Sequence, residues 1–273
     1  MLRHSSPRRR VLIVTSAFVA LGVVGVAALA VATRGRPSPP EGSIVATPTD
    51  RGDAVPVLLV HGYGGDPTNM STIASRLRAA GRTVVSVALP LRGLEGIDAS
   101  AAAVDRAFGS TGADRVDLVG YSLGGVVVRA WVADEHADDV RHVVTIAAPH
   151  HGARLAEQAG ALDPGRCTMA CAELRPGSAF LSRLNAGDET PDGPSWTTLR
   201  TALDQTVTPV DSAELDGAVN VLLQDVCADS RVGHGSINRD PLPIGLVLRA
   251  LDGQLAVSPP PSECAAIRRL GAG

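Results

Sequence analysis

The sequence contains no lysine and few aromatic residues. All 25 basic residues are arginine, and phenylalanine, tryptophan and tyrosine together account for 3% of the chain. Six of these arginines precede the first acidic residue, Glu41, so the rest of the chain is more acidic than the formal net charge of −3 indicates. Proteins that bind nucleic acids present clustered positive charge or base-stacking aromatic side chains. The composition therefore excludes nucleic acid as a partner.

Charge and proline are both missing from residues 11–33. As a helix, this segment would be long enough to cross a bilayer of about 30 Å, and it exceeds the apolar core of about 7–15 residues in an ordinary signal peptide. Four arginines precede it and two follow it, which favours an N-terminus inside the cytoplasmic membrane and a body outside. Small residues at 28–30 and 30–32 offer cleavage sites, so removal of the segment and its retention as an anchor both stay open.

The predicted organisation follows from that segment. Residues 1–36 are a signal peptide or signal-anchor helix, with membrane contact through residues 11–33 if the signal is retained. Residues 37–50 are a proline-rich linker, and residues 51–273 are a folded domain with an insertion at about 149–195. We expect the domain to be secreted or anchored to the outer face of the cytoplasmic membrane.

The four cysteines suit an oxidising compartment. Cys167 and Cys171 are four residues apart, a separation of about 6 Å on a helix and within reach of a disulfide. If those two residues pair, Cys227 pairs with Cys264. No cluster of histidines and cysteines at ligand spacing brackets them. The sequence therefore predicts two disulfides, with neither a metal nor a cofactor.

Short β-branched runs alternate with alanine-rich stretches from residue 55 onward. The predicted strands are 55–60, 83–88, 116–119 and 140–146, and the predicted helices are 70–80, 99–108 and 122–135. This alternation indicates an α/β fold, with a mostly parallel central sheet and helices on both faces. After residue 148 the pattern loosens, which is typical of a cap or binding insertion. Weak helical periodicity remains around 154–159 and 178–184. Ordered elements are predicted to resume with strands at 196–203 and 219–223 and a last helix at 244–251.

The sequence Gly120-Tyr121-Ser122-Leu123-Gly124 lies between a predicted strand and a predicted helix. This is the setting that the G-x-S-x-G nucleophile elbow requires. Glycines on both sides remove side chains that would collide in so sharp a turn. The serine hydroxyl then lies at a helix N-terminus, where developing negative charge is stabilised. The motif predicts Ser122 as a nucleophile, and an inert capping serine in a glycine-rich turn is the alternative.

The sequence HGYGG at residues 61–65 directly follows the first predicted strand. Acyl transfer forms a tetrahedral oxyanion that preorganised backbone N–H groups stabilise. One such group belongs to the residue after the nucleophile, and the other comes from a loop after an early strand. We therefore expect an oxyanion hole made by the backbone N–H groups of Leu123 and Tyr63. His61 is expected to hold the loop by hydrogen bonding, and a role as catalytic base is the alternative.

These motifs resemble the α/β-hydrolase superfamily, and within it the small secreted bacterial lipases and esterases that are similar to class 2 lipases. The resemblance rests on VLLVHGYGG at 57–65, GYSLGG at 120–125, APHHG at 148–152, and LDGAVNV at 215–221 ahead of a Gly-His pair. It covers roughly residues 50–255 and implies the α/β-hydrolase fold. Tyr121 is a departure, because relatives commonly carry histidine there, and it bears on substrate preference more than on the chemistry.

The resemblance implies a triad in the chain order serine, acid, histidine. Asp204, at the end of the 196–203 element, looks homologous to the family's acid and would fix the tautomer of the histidine. Asp211 and Asp225 are the alternative acids. His234 is the one histidine that follows all three candidate acids, and its glycine-flanked loop is where the family carries its catalytic base.

The predicted function is that of an extracytoplasmic serine hydrolase that cleaves carboxylic esters through an acyl-enzyme on Ser122. The expected partner is a small-molecule or lipid ester with an apolar acyl chain, as for a lipase or esterase. An acyltransferase or thioesterase with the same triad is one alternative, and a hydrolase-like binding domain without activity is another.

Two further groups of residues lie in the predicted insertion. Adjacent His150 and His151 would point to opposite sides of an extended chain, so they are expected at the pocket rim and not at a metal. Apolar residues further along either line an acyl-binding groove or pack the insertion onto the body. These residues are Met169, Phe180, Leu181 and Leu184.

Overall fold

A computed structural model describes residues 55–162 and 167–273. The strands are Val57–Val60 (β1), Val84–Val87 (β2), Val116–Tyr121 (β3), Val140–Ile146 (β4), Ser195–Arg200 (β5) and Val219–Leu222 (β6). They form one sheet in the order β2-β1-β3-β4-β5-β6, and every neighbouring pair is parallel. The carboxyl ends of all six strands therefore meet at one edge, where the loops that follow them converge.

Helices cover both faces of this sheet. The α-helices of the described residues are Ser71–Ala79 (α1), Ile97–Thr111 (α2), Leu123–Trp131 (α3), Arg154–Leu162 (α4), Met169–Glu173 (α5), Ala179–Leu184 (α6), Leu223–Val226 (α7), Pro241–Leu251 (α8) and Cys264–Ala272 (α9). Short 3₁₀ turns connect several elements, among them one at His234–Ser236. The arrangement confirms the predicted α/β class with a parallel sheet and helices on both faces.

Two hydrophobic cores lie on opposite faces of β1 because successive strand side chains alternate in direction. Val57 and Leu59 belong to a core that also contains side chains of α1, α8 and α9. Leu58 and Val60 belong to a second core with side chains of α2 and α3. All four side chains are buried, which explains why β1 has a continuous apolar sequence and no polar alternation.

The predicted elements differ from the observed ones mainly at their ends. The helix predicted over 122–135 ends at Trp131 and continues as a π turn over Val132–His136, in which Glu135 has a φ of 65°. The ring of His136 stacks on Trp131 at 4.3 Å, and its Nδ1 lies 2.8 Å from Asp139 Oδ2. The strand predicted over 196–203 ends at Arg200, and helices α5, α7 and α9 are absent from the prediction.

The insertion contains α4, α5 and α6 between β4 and β5. Both predicted disulfide pairs, Cys167 with Cys171 and Cys227 with Cys264, are present, with Cα separations of 5.2 and 5.3 Å. Across the two described ranges, none of the helices combines the length and apolarity that crossing a bilayer requires. The predicted signal or anchor over 1–36 and the linker over 37–50 lie outside the described residues.

Candidate active site

A strained turn presents Ser122 between β3 and α3. Its φ of 54° and ψ of −124° lie in a region that non-glycine residues seldom occupy, at a cost of about 1–3 kcal/mol. The turn is held by the Ser122 N–H, which donates to the carbonyl of Ile146 at 2.8 Å. A Cβ at Gly120 would lie 2.4 Å from the Gly124 carbonyl oxygen, and one at Gly124 would lie 2.3 Å from that of Val60. Both glycines are therefore required by close backbone approach.

The structure brings Ser122, Asp204 and His234 together from three distant parts of the chain. His234 Nε2 lies 3.1 Å from Ser122 Oγ, and His234 Nδ1 lies 2.8 Å from Asp204 Oδ2. Because an ionised carboxylate only accepts hydrogen bonds, Nδ1 carries the hydrogen and Nε2 is left to accept from the serine hydroxyl. The arrangement can therefore move a proton from the serine to the imidazole, which makes the oxygen a nucleophile.

Asp204 is fixed by backbone donors as well as by His234. It is 7% exposed, and its Oδ1 accepts the N–H groups of Thr206 and Val207, both at 2.8 Å. Charge-assisted bonds of this kind hold a carboxylate in one orientation. The alternative acids lie elsewhere: Asp211 is in a 3₁₀ turn over Val210–Ala213, and Asp225 is in α7. Of the three candidates, Asp204 is the one that contacts the imidazole.

Two residues that the sequence analysis did not place in the site hold the His234 segment. Tyr121 donates its hydroxyl hydrogen to the carbonyl of His234 at 3.0 Å, and the two rings lie 5.3 Å apart. Thr201 is fully buried, donates to the carbonyl of Val232 at 2.6 Å and accepts the N–H of Leu203 at 3.2 Å. It therefore joins the loop that carries Asp204 to the loop that carries His234. Only the place of Tyr121 inside the elbow motif signalled a role.

The predicted oxyanion donors lie on two sides of the serine. Leu123 is the first residue of α3, and Tyr63 lies in a turn closed by a bond from the Gly65 N–H to the Gly62 carbonyl at 3.1 Å. Neither the Tyr63 nor the Leu123 N–H has a hydrogen-bond partner within residues 55–162 and 167–273. A Cβ added at Gly62 would lie 3.0 Å from the Cβ of Ser122, so this turn adjoins the nucleophile. Both N–H groups are free to bind an oxyanion.

His61 holds the loop through both ring nitrogens. Its Nδ1–H donates to the carbonyl of Gly62 at 2.8 Å, and its Nε2 accepts the N–H of Leu89 at 3.2 Å. Burial lowers the pKa of His61 below its ordinary value, which is consistent with a neutral ring that uses one nitrogen as donor and the other as acceptor. With both nitrogens occupied in this way, His61 is a structural part of the loop.

The insertion touches the oxyanion turn and otherwise packs on the body. The Tyr63 hydroxyl lies 2.9 Å from Thr168 Oγ1, and Thr168 caps α5. Phe180 and Leu181 are buried in the core that contains α2 and α3, and Leu184 packs against the same core. Met169 is 64% exposed. Phe180, Leu181 and Leu184 therefore pack the insertion onto the body, whereas Met169 does not.

The two adjacent histidines of the insertion lie in different environments. The expectation that both line a pocket rim is wrong for His150, which is fully buried, with Nε2 3.0 Å from Thr145 Oγ1. Burial lowers its pKa well below the ordinary value, so the ring is neutral. His151 is more exposed, and its Nε2 lies 2.7 Å from Glu189 Oε1. The two rings differ because His150 is buried next to Thr145 of β4, which provides its polar contact, whereas His151 is more exposed and contacts Glu189.

One grouping of metal-ligand atoms occurs in the described part of the chain, formed by Cys227, Asp229 and Cys264. Its two sulfur atoms are bonded to each other in a disulfide, so neither is a thiolate that could bind a metal ion. The grouping therefore offers no metal site in the oxidised protein.

Comparisons with known proteins agree with this fold. Residues 56–186 match the family model of palmitoyl protein thioesterases, whereas no curated protein matches the chain. The mature form of Bacillus licheniformis lipase BlEst2 is similar, with a TM-score of 0.60 and 20% identity over 77% of this chain and 98% of that one. Aspergillus fumigatus lipase B is similar with a TM-score of 0.64 and 18% identity, over 80% of this chain and 61% of that one.

A bromoperoxidase from Bacillus anthracis is also similar, with a TM-score of 0.54 and 14% identity over 77% of this chain and 94% of that one. At such identities structural similarity shows a shared fold, and a fold of this kind supports several chemistries. The parallel sheet, the elbow on β3 and these similar structures agree: the chain has the α/β-hydrolase fold, which it shares with bacterial and fungal lipases.

Proposed function

We propose that this protein is an extracytoplasmic serine hydrolase that cleaves carboxylic esters through an acyl-enzyme on Ser122. The observation that carries the proposal is the position of one imidazole between two partners. His234 Nε2 is 3.1 Å from Ser122 Oγ, and His234 Nδ1 is 2.8 Å from Asp204 Oδ2. The similarity to lipases at the level of the fold supports an ester of an apolar acyl chain as the substrate class.

The proposed reaction has two steps that use the same groups. His234 removes the hydroxyl proton of Ser122 while Oγ attacks the ester carbonyl, and the N–H groups of Tyr63 and Leu123 bind the oxyanion. The protonated imidazole then gives its proton to the leaving alcohol, and the acyl group stays on Ser122. Water attacks this acyl-enzyme with the same base, which releases the acid. Asp204 stabilises the imidazolium in both steps.

Two features support a location outside the cytoplasm. The sequence begins with an arginine-rich stretch followed by the uncharged segment 11–33, as expected of an export signal or anchor. All four cysteines form disulfides, which persist in oxidising compartments and are rare in the cytosol. The two features are independent, since the disulfides lie in the folded domain.

A thioesterase is the second candidate, and one specific observation favours it. Residues 56–186 match the palmitoyl protein thioesterase model. The same three residues would serve, because loss of a thiol from the tetrahedral intermediate forms the same acyl-serine as loss of an alcohol. The two candidates differ only in the leaving atom, so matched oxygen and sulfur esters of one acyl chain separate them.

The test compares hydrolysis of p-nitrophenyl esters and matched thioesters, from acetyl to palmitoyl, by the full chain and its variants. Ser122→Ala should lower kcat by at least about 10³-fold, and Asp204→Asn on the order of 10⁴-fold. Ser182→Ala is the matched control, because Ser182 is an exposed serine in α6 and its rate should stay within twofold. Comparing soluble short-chain with emulsified long-chain esters then distinguishes an esterase from a lipase.

Two results would count against the proposal. Turnover that persists in Ser122→Ala would assign the nucleophile elsewhere. A folded chain that hydrolyses none of the esters or thioesters would favour the inert binding domain. Preference for the thioester at equal acyl length would instead support the second candidate.

A further inference from the structure

A pocket of about 450 Å³ adjoins the proposed catalytic groups. The turn over residues 62–66 forms one wall, and the segment that follows His234 forms another. Tyr121 and Arg92 also line the pocket, and the His234 segment contributes Gly235, Asn238 and Arg239. The pocket is therefore bounded by the neighbours of Ser122 and His234 on both sides.

Its position corresponds to the leaving-group half of an ester. In the proposed reaction His234 gives its proton to the leaving atom, so that atom must lie beside His234 Nε2. A leaving group that extends from that atom along the His234 segment would reach Gly235 first among the pocket residues. The oxyanion turn at Tyr63 closes the opposite side, so a leaving group that enters here stays next to the carbonyl that is cleaved.

The charged side chains around this pocket are two arginines and one aspartate. Arg92 Nε donates to the carbonyls of Gly64 at 3.0 Å and Gly65 at 3.3 Å, and its terminal nitrogen lies 3.9 Å from Asp66 Oδ2. Arg239 donates to the carbonyl of Gly235. Within the described ranges no carboxylate lies within 4.0 Å of Arg239, so its positive charge is not neutralised by an ion pair.

These contacts hold both guanidinium groups in place and leave further N–H donors on each. Each uses backbone carbonyls of a pocket wall, and a guanidinium has five N–H groups in a rigid fork. Such a fork suits the oxygens of a phosphate or carboxylate. The three charged side chains together give the pocket a net charge of +1, which attracts an anion.

The part of the pocket lined by Asn238 and by residues 68–72 is also polar. Asn238 is 6% exposed, and its Nδ2 donates to the carbonyl of Asn69 at 2.7 Å. Its buried Oδ1 has no hydrogen-bond partner among the residues that the structure describes. Thr68, Asn69, Ser71 and Thr72 add further polar groups to the lining. A hydrocarbon chain would place an apolar group against the exposed hydroxyls of Ser71 and Thr72, whereas a hydroxylated group offers them hydrogen bonds.

We propose that this pocket is the leaving-group subsite and that it selects an alcohol carrying hydroxyl groups and a negative charge, such as a phosphorylated or carboxylated polyol. The inference rests on the proposed function, because it assigns the side from which His234 protonates the leaving atom. It makes Arg239 and Arg92 specificity-determining residues for the leaving group, while the acyl chain lies outside this pocket.

The test uses octanoyl esters with three leaving groups that share a three-carbon polyol skeleton: glycerol, glyceric acid and glycerol 3-phosphate. For the full chain at low ionic strength, kcat/KM for a charged ester should exceed that for the glycerol ester about tenfold, and added salt should reduce the ratio. The two charged esters distinguish phosphate from carboxylate as the preferred anion. Free glycerol 3-phosphate should also inhibit p-nitrophenyl octanoate hydrolysis more strongly than glycerol does.

Variants assign the selectivity to the pocket. Arg239→Gln should lower the charged-to-neutral ratio at least threefold, and Arg239→Lys should retain part of it because the charge remains. Arg231→Gln is the matched control, since Arg231 is an exposed arginine of the same segment that does not line the pocket. An unchanged ratio in Arg239→Gln would overturn the assignment.

Failure of the subsite and failure of the proposed function give different results. Hydrolysis of the glycerol and p-nitrophenyl esters without preference for the charged esters would overturn the subsite and leave the serine hydrolase intact. Absence of turnover on every ester, including p-nitrophenyl octanoate, would overturn the proposed function and the subsite together.

Discussion

Tyr121 occupies the position immediately before Ser122 and contacts the segment that carries His234. Its hydroxyl donates to the His234 carbonyl at 3.0 Å. Burial, together with the nearby negative charge of Asp204, raises the pKa of Tyr121 to about 12. The hydroxyl therefore keeps its hydrogen at neutral and mildly alkaline pH. Tyr121 is in this view a positioning residue that connects the elbow to the imidazole.

Replacing Tyr121 by phenylalanine should therefore slow catalysis without unfolding the protein. The variant keeps the ring and loses one hydrogen bond, which is worth about 1 kcal/mol, so kcat should fall about fivefold while KM changes less. Steady-state kinetics on a p-nitrophenyl ester and a thermal melt measure the two effects. Ser110→Ala serves as the matched control, because it also loses a bond from a hydroxyl to a backbone carbonyl, that of Ala107, and lies in α2 away from the site. An unchanged kcat in Tyr121→Phe would remove the positioning role.

At the scale of elements, the path of the chain from α7 to α8 decides where His234 lies. Cys227 follows α7 and is bonded to Cys264 at the start of α9. Arg268 of α9 also pairs with Asp229 through two bonds of 2.9 Å. The segment that precedes His234 is therefore fastened to α9, which packs in the same core as α8.

Removing this disulfide should affect activity as well as stability. The double variant Cys227→Ser with Cys264→Ser opens a long loop, and the chain-entropy model gives a loss of about 4 kcal/mol in the free energy of unfolding. We also expect a lower kcat, because the His234 segment gains freedom. The control is Cys167→Ser with Cys171→Ser, which opens a short loop at a cost of about 2 kcal/mol. Denaturant titration and kinetics of both variants test the coupling; unchanged turnover and heat resistance without the 227–264 bond would contradict it.

The ends of elements show where sequence patterns stop being informative. The strand 140–146 was predictable to the residue, because five of its seven residues are β-branched and two aspartates precede it. The strand predicted over 196–203 ends at Arg200 instead. The buried hydroxyl of Thr201 bonds to Val232 and Leu203, and this turns the chain toward Asp204. Hydrophobic periodicity gives no information about a hydrogen bond to a residue about thirty positions away, so the turn could not be predicted.

At the scale of the whole molecule, the sheet explains how much of the site was predictable. Parallel strands place their carboxyl ends at one edge, so motifs that follow β1 and β3 must meet. The meeting of the serine turn and the turn over residues 62–65 was predictable for that reason, whereas the role of His234 was expected from the resemblance. The choice among Asp204, Asp211 and Asp225 depended on a resemblance, because their spacing does not distinguish them. The pocket lined by Arg92 and Arg239 could not be predicted, because the loop paths that form it are not encoded in any motif.

The most direct test of the central claim is to map the adduct of a fluorophosphonate probe on the full chain by mass spectrometry. We predict one adduct per chain, on the peptide that contains Ser122, with labelling lost in Ser122→Ala and slowed at least about 100-fold in His234→Ala. An adduct on a different residue, or equal labelling of the Ser122→Ala variant, would contradict the claim that Ser122, His234 and Asp204 act as one unit.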